Sequence, residues 1–245
     1  MPMNIELKRG MDFRKKEYRR EVFLRFHEFH TKHGTHPGCV YFIFPFFVRR
    51  YQWDVGQRLW FAFINGHTQN AVTSKIIFDE FPDLATLNLK RLNSWFSEHW
   101  GRLAFDTDRR YAKKDFVTAV AEYKYLSGTS QAGYISRFTQ GNDPYANFRA
   151  AWSEVRAKFR TFGRLSAFCY LEFLRVFEIG KIDCDRLFLE DGRGSRSHRN
   201  GLVLVLGRDE LQWHRSNPSF SGEYSSETIS WLNREGARLL AEAKR

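Results

Sequence analysis

The chain has 245 residues, with 39 Lys+Arg against 28 Asp+Glu, a formal net charge of +11 and a pI near 9.7. Its 42% hydrophobic and 17% aromatic content suffices for a sizeable core and excludes intrinsic disorder. No run of about 18 uncharged apolar residues occurs, the densest stretch being Cys39 to Val48 ahead of Arg49 and Arg50, so a membrane span is excluded.

In chain order, apolar periodicity predicts helices over 11–33, 39–50, 55–65, 70–81, 85–97, 112–127, 144–160, 164–179, 198–206 and 225–243. Stop signals separate them: Gly34 to Gly38, Gly66, Pro82, Gly101, Gly128, Gly141 to Pro144, Gly163, and Gly192-Arg-Gly194. Ser225 is placed to cap the last helix. Only GLVLVLG at 201–207 has strand-like branching, and it is too isolated to build a sheet. The expected fold is therefore all-α, a single domain over 1–245, with two helical lobes around a cleft as the open variant.

The N-terminal segment MPMNIELKRGMDF lacks the apolar stretch of a signal peptide, and three scattered cysteines (Cys39, Cys169, Cys184) without CxxC spacing argue against disulfides or structural zinc. A cytoplasmic, reduced location is expected. Between Lys8 and Arg25 lie eight basic and three acidic residues on a segment with apolar positions Phe13, Val22, Phe23, Phe26 and Phe29. Arg14, Lys15, Arg19 and Arg20 are expected to neutralise a DNA backbone, with a solvated helix face as the alternative. His27, His30, His33 and His36 recur every third residue. They lack the acid and spacing of an HExxH zinc motif, so a polar stripe facing DNA or substrate is expected and no metal.

Further along, Asn65-Gly-His-Thr-Gln-Asn70 is a short polar turn between two apolar helices. Asp106-Thr-Asp-Arg-Arg-Tyr-Ala-Lys-Lys114 places Arg109 with Lys113, and Arg110 with Lys114, at i, i+4. Ser195-Arg-Ser-His-Arg-Asn200 follows two glycines and precedes an apolar helix, so helix-start amides, hydroxyls and two guanidinium groups make it a candidate anion site. Either basic cluster, Arg109, Arg110 and Lys113 or Ser195, Arg196, His198, Arg199 and Asn200, can cradle a phosphate-type leaving group or grip the DNA backbone. No Walker pattern or other nucleotide motif is present, and no tightly bound cofactor is expected.

The stretch Leu59 to Asn88, WFAFINGHTQNAVTSK with a following FPDL, resembles the helix–turn–helix of helix-hairpin-helix DNA glycosylases. That resemblance implies that the turn faces a flipped nucleotide, with Asn65, His67, Gln69 and Asn70 as the base pocket; helix capping is the alternative for its amides. FGRLSAFCYL through Ile182-Asp-Cys-Asp-Arg-Leu187 resembles the hairpin, helix and aspartate of the same superfamily, although the full Gly-x-Gly hairpin is absent. A closer resemblance covers almost the whole chain. The segments FHEFHTKHGTHPGCVYFIFP, QRLWFAFINGHTQNAVTSK, RLAFDTDRRYAKKDF, FGRLSAFCYLEFLR and LFLEDGRGSRSHRNGLVLVLGRDELQWH are similar to the bacteriophage α-glutamyl/putrescinyl-thymine pyrophosphorylases, or amino acid:DNA transferases.

This similarity implies a helical glycosylase-like fold and an enzyme of thymine hypermodification. Phosphorylated 5-hydroxymethyluracil in double-stranded DNA would exchange its phosphate-type group for the amine of a free amino acid, glycine in the short form seen here. The attacking amine must lose a proton, so a carboxylate base is needed. Candidates are Asp106, Asp108, Asp183, Asp185, Glu190 and Asp191; Asp185 and Asp183 come first, because the superfamily places its carboxylate there, then Asp108. The alternatives are a base-flipping glycosylase and a DNA-binding protein without catalysis.

Overall fold

The computed structural model describes residues 11–32, 40–190, 195–211 and 224–243. His33, His36, Cys39 and Asp191 lie outside the described residues, as does the side chain of Asp108. In chain order the helices are α1 (Lys16–Lys32), α2 (Val40–Tyr51), α3 (Val55–Thr68), α4 (Ala71–Glu80), α5 (Leu89–Glu98), a 3-10 segment (Thr107–Asp115), α6 (Phe116–Ser127), α7 (Gln131–Thr139), α8 (Pro144–Lys158), α9 (Arg164–Val176), α10 (Arg196–Val205), a 3-10 turn (Asp209–Leu211) and α11 (Ser226–Ala243). No strand occurs among the described residues, and none of their helices is long and apolar enough to cross a membrane.

The chain divides into two compact units, one spanning 38–184 and one made of 1–37 with 185–245. The first is organised around α3. Asp54 starts that helix with a capping box, its side chain accepting from Gln57 N (2.8 Å) while the Gln57 side chain accepts from Asp54 N (3.0 Å). From Leu59 to Ile64 every residue is fully buried, so α3 is apolar on all sides and must be wrapped by other helices. It is wrapped by α4, α7, α9 and the long 3-10 segment. Aromatic rings fill the gaps: Phe63 stacks on Tyr123 at 4.1 Å and lies 5.5 Å from Phe162, while Phe61 meets Phe44, Trp53 and Phe78 edge-on or tilted.

In the other unit, α1, α10 and α11 enclose a core of Leu189, Leu202, Val203, Tyr224, Leu232 and Leu239, against which Phe23 and Leu24 pack. The strand-like GLVLVLG therefore lies in and just beyond a helix: its branched residues form the buried face of α10. Ser225 caps α11, accepting from Thr228 N at 3.2 Å. Two elements depart from the periodicity. The 3-10 segment precedes α6 where one longer helix start is expected, and α7 occupies a stretch with no predicted element. Ser130 starts α7 by accepting from Gly133 N at 3.0 Å.

Candidate functional site

Helix α3 ends in an abrupt turn of two residues. Gln69 adopts a left-handed backbone (φ 47°) and its N–H donates to the Asn65 carbonyl at 2.8 Å; Asn70 then caps α4, its Oδ1 accepting from Thr73 N at 2.9 Å. A left-handed non-glycine residue costs roughly 1–3 kcal/mol, and such strain gathers at functional sites. The turn sends the Gln69 amide towards α9, with Nε2 3.5 Å from Ser166 Oγ and 3.9 Å from Cys169 Sγ. Asn70 Nδ2 reaches Asp106 Oδ1 at 3.4 Å. Gln69 and Asn70 are half-buried and accessible, whereas Asn65 and His67 point inward. Asn65 Oδ1 accepts from Ser74 Oγ at 3.1 Å, and the His67 ring packs among Phe63, Phe116 and Phe162. Of the four residues expected in a base pocket, Gln69 and Asn70 are half-buried at the turn, whereas Asn65 and His67 are buried beneath it.

The second expected element, Arg109 to Lys114, is a 3-10 segment with about three residues per turn, so i and i+4 do not align. Arg109 and Lys113 accordingly point to different partners. Arg109 is 3% exposed and its guanidinium is fully engaged: Nε donates to the His67 carbonyl (3.1 Å), one terminal nitrogen to the Thr161 carbonyl (2.9 Å) and Tyr111 OH (3.0 Å), and the other to Thr161 Oγ1 (3.4 Å). Burial lowers its pKa, opposed by the nearby Tyr111 and the Cys169 thiol. Lys113 donates to the Trp100 and Leu103 carbonyls with its ammonium 4.3 Å over the Trp100 ring, and burial lowers its pKa too. Arg110 and Lys114 remain exposed. Asp106 sits at the N-cap of the segment without a side-chain cap bond.

Helix α9, with Gly163 at its N-cap, presents Ser166, Cys169 and Glu172 at i, i+3 and i+6, a polar stripe along the helix. Gln69 meets the first two. Glu172 accepts from Arg175 at 2.6 Å. Burial pulls the Arg175 pKa down, but Glu172, Asp183 and Cys184 more than compensate and it ends raised. Asp183 Oδ1 accepts from Cys184 N at 2.9 Å. Its loop is held by backbone and side chain alike. Asp183 N donates to the Pro144 carbonyl at 3.1 Å, and Asn147 Nδ2 reaches the carbonyls of Thr139, Gly141 and Lys181 at 3.2, 2.8 and 2.8 Å. Thr161, Ser166, Cys169 and Glu172 escape a search for charged clusters; the polar i, i+3, i+6 spacing on α9 is the signal that would have found three of them.

The other unit holds the remaining expectations. Ser195 and Arg199 are buried, and both bind the Leu189 carbonyl, Ser195 Oγ at 2.9 Å and Arg199 Nε at 2.8 Å. Asn200 Oδ1 accepts from Tyr224 OH at 2.6 Å. Arg196 and His198 of the same expected cluster are half-buried. Asp185 is half-buried with Arg186 at 3.4 Å, and Glu190 accepts from Asn233 at 2.7 Å. On α1, Arg19 bridges Asp209 and the Phe13 and Arg14 carbonyls and Arg20 pairs with Glu242; just ahead of the helix Arg14 pairs with Asp12 and Lys15 is exposed. Among the described residues no three His, Cys, Asp or Glu side chains gather as a metal ligand set.

Residues 44–240 match the family described as amino acid:DNA transferase. A curated relative, the serinyltransferase of Salmonella phage ViI, is 30% identical over 161 residues, which is 64% of this chain and 39% of the relative. The match thus spans about two fifths of that relative's length. No solved structure matches.

Proposed function

Because the chain belongs to the amino acid:DNA transferase family, we propose that it joins a small amino acid to a pyrimidine of double-stranded DNA. The substrate base is a phosphorylated 5-hydroxymethyluracil turned out of the duplex. The amine nitrogen bonds to the 5-methylene carbon, the carbon–oxygen bond breaks, the phosphate-type group leaves with the electron pair, and the amine gives up a proton. The observation that carries this reading is the Gln69 turn. An accessible amide held in a strained backbone against the polar stripe of α9 suits the edge of an extruded pyrimidine, for which amide donors and acceptors are complementary. The glycosylase-like arrangement belongs to the same reading: α3, turn and α4, then the Gly163 start of α9, then Asp183 on its fixed loop.

Asp183 is the proposed base, with Asp185 and Asp108 as the alternative carboxylates, and Arg110 is an exposed cation proposed to meet the phosphate. Arg109 and Lys113 support the turn and the 3-10 segment from within. The amino acid is serine or glycine. Serine is named in the phage ViI relative, and glycine is what the motifs imply. The reaction takes place where the DNA is, in a host cytoplasm if the source is a phage.

Incubating the protein with DNA carrying phosphorylated 5-hydroxymethyluracil and each amino acid, then weighing the nucleosides, tests the proposal. A glycine or serine adduct supports it and identifies the donor. An abasic site means a glycosylase, and unchanged nucleosides mean a DNA-binding protein without catalysis.

A further inference from the structure

We propose that Cys169 is a catalytic nucleophile that adds to C6 of the flipped uracil ring and so activates the 5-methylene for substitution; this rests on the transferase reading above. Two independent observations meet at this thiol. Cys169 is half-buried, and its Sγ lies 3.9 Å from the amide nitrogen of Gln69 at the turn that the reading assigns to the base. Arg109, only 3% exposed, has four neutral partners, the carbonyls of His67 and Thr161 and the hydroxyls of Thr161 and Tyr111, and no carboxylate pairs with it among the described residues. A buried cation without a counter-ion is costly, and it favours any anion formed beside it. The Cys169 thiol is near enough to act on the Arg109 charge. A positive charge in reach of the thiol favours its nucleophilic thiolate form.

Direct displacement at the 5-methylene receives little help from an intact uracil ring. Addition at C6 changes that. The thiolate sulfur bonds to C6, and the C5–C6 π pair moves into an enolate over C5, C4 and O4. The enolate collapses and expels the phosphate-type group from the methylene, leaving an exocyclic C5=CH2 on a ring still bonded to sulfur. The amino acid nitrogen adds to that CH2, the electron pair returns to the enolate, and the amine proton goes to the carboxylate base. Re-formation of C5=C6 then releases the thiolate. Electrons balance without an oxidant or reductant. Gln69 is placed to hydrogen-bond the ring edge, and the Arg109 charge favours the sulfur anion.

The test uses the full chain and DNA with phosphorylated 5-hydroxymethyluracil. Without amino acid, the wild-type protein should form a protein–DNA adduct that survives denaturation, maps to the peptide containing Cys169, and is discharged by serine or glycine. C169S and C169A should bind the DNA as wild type does, form no adduct, and lose single-turnover transfer by about a thousandfold or more. Deuterium at C6 should give an inverse secondary isotope effect in the wild type, which decides the case if the adduct is too short-lived to isolate. A Cys169 variant that transfers within about threefold of wild type, or an isotope effect of unity with no adduct, overturns the inference and leaves the transferase reading intact. A wild-type protein that attaches no amino acid to DNA overturns the reading itself.

Discussion

His67 shows how a residue beside the turn shapes the site without reaching it. Its ring is fully buried among Phe63, Phe116 and Phe162, its Nδ1 lies 3.4 Å from Thr161 Oγ1, and its carbonyl holds Arg109. Burial first, and the Arg109 cation second, push its pKa well below the ordinary 6.5, against a smaller opposing effect of a backbone hydrogen bond to Arg160. The sign follows from linkage. Above about pH 6.5 the ring is neutral both folded and unfolded, and the full stability is present. As pH falls below that, the unfolded chain takes up a proton that the folded chain refuses, so stability drops by up to about 1.4 kcal/mol per pH unit until the folded pKa is reached. Urea unfolding at pH 7.5 and 5.5 should reveal this loss in the wild type. His67→Phe, which keeps the backbone carbonyl and the aromatic packing, should show a flatter dependence over the same interval. Equal slopes in the two proteins would place the proton uptake at another group.

At the scale of elements, the close approach of α3 to Phe162 fixes what can occupy position 66. A Cβ on Gly66 would come within 2.7 Å of the Phe162 ring, which is 4% exposed and stacked against Phe63, so the ring has no room to swing aside. Helix propensity alone favours Ala over Gly by about 1 kcal/mol. Overpacking costs about 1–3 kcal/mol and opposes it. Gly66→Ala should therefore be destabilising in a denaturant melt, and because Phe162 follows Thr161, it should also loosen the carbonyl that holds Arg109. A stabilised variant would mean that propensity wins and the ring yields. Gly66 also explains why a helix end was expected at 65: read as a stop, it is instead a contact inside α3, which continues to Thr68. The long apolar helices were legible because burial against a core imposes their period, and the Ser225 cap marks the start of the last one; the Asn88 cap was missed, so that α5 begins at Leu89 and not at the expected 85. The α7 stretch QAGYISRFT was not legible, since a short helix with a central glycine carries too few apolar positions to show a period. The partners of Arg109 and Arg199 were hidden for a different reason. Sequence spacing reports which cations are near one another along a helix, but the carbonyls that capture them come from residues 52 and 10 positions away.

Across the whole molecule the charge of +11 has to be divided between cations that hold the structure and cations that remain for phosphate. In α1 and just ahead of it the division is visible. Arg19 is 17% exposed and ties Asp209 to the backbone of Phe13 and Arg14, and Arg20 is paired with Glu242. Arg14 is 80% exposed and pairs with Asp12, and Lys15 is exposed. If the start of α1 contacts the DNA backbone, Arg14 and Lys15, just ahead of that helix, are groups available for counterion release, at a slope of about 0.9 in log affinity per log salt for each phosphate neutralised. Arg14→Gln with Lys15→Gln should then flatten the salt dependence by nearly two such steps, weaken binding to all sequences alike, and leave the urea midpoint almost unchanged. Arg19→Gln should behave in the opposite way, lowering the midpoint with a smaller change in slope, because it removes an internal tie. Gln69→Ala should alter neither slope nor midpoint appreciably while lowering transfer by about one to two orders of magnitude, the cost of an unpaired base edge in a closed pocket. Fluorescence anisotropy over a salt series, run beside single-turnover assays, separates the three. A slope unchanged by Arg14→Gln and Lys15→Gln would move the backbone contacts away from the start of α1, and full transfer by Gln69→Ala would remove the turn from the base pocket.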